Sequence, residues 1–188
     1  RTAASAAEFA LVLPLLLLVM FGIIDAGRYM WSINRAEKAA QMGVRMAVVT
    51  NYVAPTLGDS YVGKCATPLS AGDSIPADCF ATITCSKIGS NPPTCNGGVA
   101  NPAAFTTVAN PMRFMMPEIK DSNIQIIYSP SGMGFAGDPS GPDVAPLVTV
   151  RLSGITFRPM IFLALASVGI PEARSSLTFE DGTGTQSN

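Results

Sequence analysis

The side chains able to do chemistry in this chain are few, and what is missing decides much. Among 188 residues there is no histidine, which removes Ser/His and Cys/His nucleophile pairs, imidazole bases and most zinc sites. Four cysteines remain, Cys65, Cys79, Cys85 and Cys95, without a CxxC pair among them. An even number of thiols in one short stretch, with no metal-binding partner nearby, points to two disulfides and an oxidising compartment rather than to a metal centre. Sequential pairing, Cys65 with Cys79 and Cys85 with Cys95, is the first of three open connectivities. The loop GDPSGPD at 137–143 offers Asp138 and Asp143 as oxygen ligands for calcium, but it lacks the acidic and amide positions of a calcium loop and reads better as a solvated turn. Glu180 and Asp181 read as the end of a strand before a polar tail. No carboxylate pair, phosphate-cradling glycine loop or lysine in an apolar setting is present, so no catalysis and no cofactor are expected.

Glu8 is the reactive group in the least expected place. It interrupts an apolar run that extends from Ala3 to Ile24, with FALVLPLLLLVMFGII at 9–24 free of charge. Such a run spans a bilayer, which needs ~20 apolar residues. A carboxylate inside it costs ~2.5–3.5 kcal/mol near the membrane centre and less at the head groups. Either Glu8 lies at the head-group level, or a cation from another chain meets it; an N-terminal amino group is the obvious candidate. A cleaved secretory signal is the competing reading of the run. Against it, no A-x-A pattern follows Ile24 and the helical spacing continues beyond Asp25.

The elements that must hold these residues follow from periodicity. Ala26, Tyr29/Met30, Ile33, Ala36, Ala40, Val44 and Ala47 recur every three or four residues, so one helix from about Ala4 to Val49 is expected, with its second half packed on a domain. Pro14 deletes one backbone donor and predicts a kink or a loosened turn, and Gly22 with Ala26 lets another helix approach closely. Asn51–Ser74 and Lys87–Asn101 read as long surface loops, rich in turn residues. Asn101-Pro102 starts a short helix, Pro102–Ala109, reaching Met116 with a break at Pro111, and Met112, Met115 and Met116 read as core filling. Strands are expected at 80–84, Asn123–Tyr128, Leu147–Ser153 and Ser175–Phe179. Met160–Val168 reads as a short core helix or an apolar patch. The fold class is therefore α+β, a long helix packed on a small antiparallel sheet. Its parts are residues 1–25, the apolar half of the helix, and residues 26–188, an external domain: helix 26–50, cysteine-bearing region 51–101, then short helix and sheet 102–188.

The stretch AASAAEFALVLPLLLLVMFGIIDAGRYMWSINRAEKAAQMGVRMAVV resembles the N-terminal signature of TadE-like pseudopilins, subunits of the tight-adherence (Tad) branch of type IV pili. The shared elements are AxEFALVLPLLLL, FGIIDxGR and a later AAxxGxRxA, here Ala39, Ala40, Gly43, Arg45 and Ala47. The resemblance implies cleavage by a prepilin peptidase between Ala3 and Ala4, which would make Glu8 the fifth residue, although type IV prepilins usually carry glycine where Ala3 stands. It implies an N-terminus in the cytoplasm, an inner-membrane anchor with a periplasmic domain before assembly, and a place in an extracellular filament afterwards. Its partners would be other copies or other pilins, the inner membrane and the pilus assembly machinery. With 12 basic against 13 acidic residues, nucleic acid is not expected among them. The alternative is an anchored or secreted adhesin that binds through residues 58–98.

Overall fold

The computed structural model describes residues 2–96, 98–139, 142–160 and 167–179, with side chains from residue 8 onward. The centre of the Met160–Val168 run, the pair Glu180/Asp181 and the side chains of Ala3 and Ala4 lie outside the described residues.

Helix α1 spans Thr2–Val49 and runs through Pro14 without a break in the helix. Its two halves meet different surroundings. From Phe9 to Ile24 its large apolar side chains are exposed except for the half-buried Leu17 and Phe21, whereas Ala36, Ala39, Ala40, Val44, Ala47 and Val48 are buried in the domain. Small side chains on that second half let the rest of the chain come close. A Cβ at Gly43 would stand 2.5 Å from Sδ of Met112, a fully buried residue of α2.

Helix α2, Pro102–Met115, starts as the sequence predicts: Asn101 accepts from the backbone N–H groups of Ala103 and Ala104, and Pro102 follows it. The expected break at Pro111 does not occur. Val108, Ala109 and Met112 are completely buried across that position, and their packing outweighs one lost backbone bond. Met112 and Met116 fill core, and Met115 packs at its edge.

Six strands form one antiparallel sheet: β1 Ile83–Ser86, β2 Thr94–Cys95, β3 Gly98–Val99, β4 Ile124–Ser129, β5 Leu147–Leu152 and, last in the chain, β8 Ala173–Thr178, in the order β3-β2-β1-β4-β5-β8. Alternation along β4 and β5 turns Ile124, Ile126, Tyr128, Val148, Val150 and Leu152 to one face. Helix α1 packs against β5 and β8 and against α2, which buries that face. Two further short strands, β6 Thr156–Phe157 and β7 Val168–Gly169, pair as a separate hairpin.

The segment Asn51–Ser74 is not the open surface loop expected. Tyr52, Val53, Ala54, Leu57 and Tyr61 are buried, with Leu57 in a turn of 3-10 helix at Pro55–Gly58. Tyr52 stacks on Phe179 with ring centroids 4.1 Å apart and donates to the carbonyl of Val144, while the Tyr128 hydroxyl accepts from Val53 N–H. Burial pushes the Tyr128 hydroxyl up to about 12 despite that bond. The composition suggested turns because the apolar residues here are spaced without period, yet each fills a separate gap in the core.

Candidate functional site

Both disulfides form with sequential pairing, Cys65–Cys79 and Cys85–Cys95. The first closes a loop. The second does not: Cys85 and Cys95 face each other across β1 and β2, so this bridge fastens the edge of the sheet. No cysteine is free.

At 137–143 the described residues Gly137, Asp138 and Pro139 are exposed, as expected of a solvated turn, but Asp143 is not. Asp143 is buried and its carboxylate accepts from Ser60 Oγ, Tyr61 N–H, Gly137 N–H and Asp138 N–H at 2.6–3.1 Å. Burial alone would raise its pKa, but these bonds to the charged form outweigh desolvation and hold it below the usual carboxylate value. With its oxygens engaged by donors, Asp143 acts as a tie between two loops. Among the described residues no group of acidic residues or cysteines is placed to hold a metal.

The surface with the strongest physical demand is the first half of α1. Eleven large apolar side chains between Phe9 and Ile24 are exposed, Leu11 by 80% and Ile23 by 69%. Covering each is worth about 1.5–3 kcal/mol, on the order of 20 kcal/mol together, which exceeds the ~5–15 kcal/mol net stability of a whole domain. This stretch must therefore be covered. It is the one helix among the described residues long and apolar enough to cross a membrane, with a mean hydropathy of 2.5 over its most apolar window. Val12, Leu15, Leu16, Val19, Met20 and Ile23 line one groove along it. Glu8 and Pro14 are exposed on the same half, as is Ala26, one turn beyond the half-buried Gly22. Among the described residues no ion pair involves Glu8.

Where α1 leaves the domain, it carries a collar that periodicity misplaced. Asp25 is buried, and Ala26, expected in the apolar stripe, is exposed. Both carboxylate oxygens of Asp25 accept from Met160 N–H at 3.1 Å, and one accepts from Arg28 at 2.9 Å. The hairpin of β6 and β7 is held at the same level: Tyr29 donates to Gly169 O at 3.1 Å and meets the Phe157 ring edge-on, and the Arg28 guanidinium lies 5.2 Å above that ring. Higher up, Arg35 donates to Met115 O and pairs with Glu118 beyond α2. The sequence did hold a signal for Asp25. Stepping back one turn from Ile33 and Tyr29 lands on residue 25, so the buried stripe ends in a carboxylate.

Residues 3–45 match a family model described as TadE-like protein. That range takes in the exposed apolar half of α1, the collar and the close-packed turn at Gly43. The chain matches no curated protein and no solved structure. The rest of the domain therefore stands on its own geometry, and the apolar helix fits membrane anchoring. Over residues 3–45, which hold the helix that needs covering and the α1 side of the collar, the chain is similar to TadE-like proteins, as its N-terminal sequence implied, and this similarity suggests a component of a Tad pilus.

Proposed function

We propose that this chain is a structural subunit, not an enzyme, of a Tad-type pilus: anchored in the inner membrane by the first half of α1 and transferred into a filament by packing that same half against other pilin helices. One observation carries the reading. The exposed apolar helix Phe9–Ile24 continues without interruption into the helix that packs in the domain core, so the surface that must be covered and the folded domain share one helix. Lipid and neighbouring helices both satisfy that surface, which makes transfer between them thermodynamically modest. Two disulfides suit a domain outside the cytoplasm. Glu8 is assigned to pairing with the N-terminal amino group of a neighbouring subunit, after cleavage between Ala3 and Ala4.

The test is fractionation of the native cells. The chain is expected in carbonate-washed membranes and, in a second pool, in filaments sheared from the cell surface. Recovery only as a soluble external protein would favour the alternative, a secreted binding module acting through residues 58–98.

A further inference from the structure

Beside the collar lies a cleft of about 420 Å³. Helix α1 lines it with Arg28, Trp31, Ser32 and Arg35, one face at helical spacing, and the β6–β7 hairpin closes it with Phe157 and Arg158. Arg28 pairs with Asp25 and Arg35 with Glu118. Arg158 is exposed and makes no ion pair among the described residues. Three guanidinium groups against two carboxylates leave one positive charge, the complement of a single phosphodiester.

Position selects the source of that phosphodiester. Arg28 and Trp31 stand about 6 and 10 Å beyond Ile24 at 1.5 Å per residue, and helical side chains lean back toward the N-terminus. The head-group layer on each side of a bilayer is about 5–8 Å thick. Met160, whose N–H is bound by Asp25, brings Arg158 down to the same level. Trp31 is 67% exposed and Met160 72%, an apolar and aromatic rim of the kind that settles at a membrane surface.

We propose that, while the subunit is membrane-resident, this cleft holds the phosphodiester of an anionic phospholipid, with Arg158 and the outer edge of Arg28 donating to it and Trp31 lying along the glycerol backbone. The proposal rests on the anchoring reading above. It gives the collar a second use: the domain is oriented on the bilayer by a headgroup contact that extraction into a filament must release.

Trp31 is the single tryptophan of the chain and reports on its own surroundings. The full chain is reconstituted into phosphatidylcholine nanodiscs containing phosphatidylglycerol, with bromine carried on the acyl chains of one lipid or the other at equal fraction. Brominated phosphatidylglycerol is expected to quench Trp31 as if enriched about fivefold around it, the factor one unpaired basic side chain gives near an anionic surface. Arg158→Gln should bring the ratio to about one while leaving incorporation and the far-ultraviolet spectrum unchanged. Equal quenching by both lipids in the unmodified chain overturns the proposal, as does an Arg158→Gln chain that keeps the preference. Inorganic phosphate that shifts Trp31 emission in neutral detergent as strongly as phosphatidylglycerol does would make free phosphate the ligand and sink the lipid assignment. So would shielding of Trp31 that needs two copies per disc and ignores lipid charge, which would assign the cleft to a second subunit. A chain that fails to enter discs at all overturns the anchor itself.

Discussion

At the scale of single residues, Asp143 shows how one carboxylate replaces a missing element of secondary structure. It satisfies N–H groups at Tyr61, Gly137 and Asp138 that no strand or helix would otherwise satisfy. Asp143→Ala is expected to lower unfolding free energy by about 2–4 kcal/mol in chemical denaturation, because one buried and three part-buried donors lose their partner together. The pH dependence has a definite sign. The folded pKa lies below the unfolded value, so this stabilisation is complete above the ordinary carboxylate range, about 4, and disappears as pH falls through the folded value. The difference between parent and variant should shrink on that acid limb. Gly43 is the second case. Gly43→Val must displace the buried thioether of Met112, an overpacking cost of about 1–3 kcal/mol readable as a lowered denaturation midpoint. In the proposed function Glu8 acts in assembly instead. Glu8→Ala should leave the domain's melting unchanged and reduce recovery in sheared filaments by about tenfold or more, since ~1.4 kcal/mol of lost pairing already gives that factor. Wild-type recovery would return Glu8 to a head-group position with no partner.

At the scale of elements, the β6–β7 hairpin depends on α1 for its position. Asp25, Arg28 and Tyr29 hold it from one turn of helix. Asp25→Ala should free the hairpin locally, raising hydrogen exchange at Thr156–Met160 and Val168–Ile170 by about 10- to 100-fold, whereas β4 and β5 keep their protection. Asp25→Asn keeps an acceptor for Met160 N–H and should lie between. Exchange that rises equally throughout the sheet would contradict a local collar. The elements differ in how plainly the sequence announces them. Helix α1 was legible because its apolar residues recur over many turns, and β5 because Val148, Val150 and Leu152 alternate with polar neighbours. The cap at Asn101 announced α2, but not its passage through Pro111, which depends on tertiary packing across that turn. Strands β2, β3, β6 and β7 have two residues each and carry no period at all. The packed course of Asn51–Tyr61 was hidden for a related reason: its order comes from Asp143, Tyr128 and the Val53–Asn101 backbone bond, all distant in sequence.

At the scale of the whole molecule, a rod and a domain share one helix, and the parts of the site divide accordingly. Ala39, Ala40, Gly43 and Ala47 answer to close packing inside the domain, whereas Glu8, Pro14 and the apolar face are exposed, and in the proposed function they meet lipid or other subunits. The first group is satisfied within the fold, and the second leaves a demand that lipid or other subunits would meet. The most direct measurement is the intact mass and N-terminal sequence of the chain purified from its own cells, from membranes and from sheared filaments alike. The account predicts a mature chain beginning at Ala4 in both fractions, with Glu8 fifth and residues 9–24 retained. A mature chain beginning near Ala26, found as a soluble protein without the apolar half of α1, would contradict the anchor, the filament and the role given to Glu8 together.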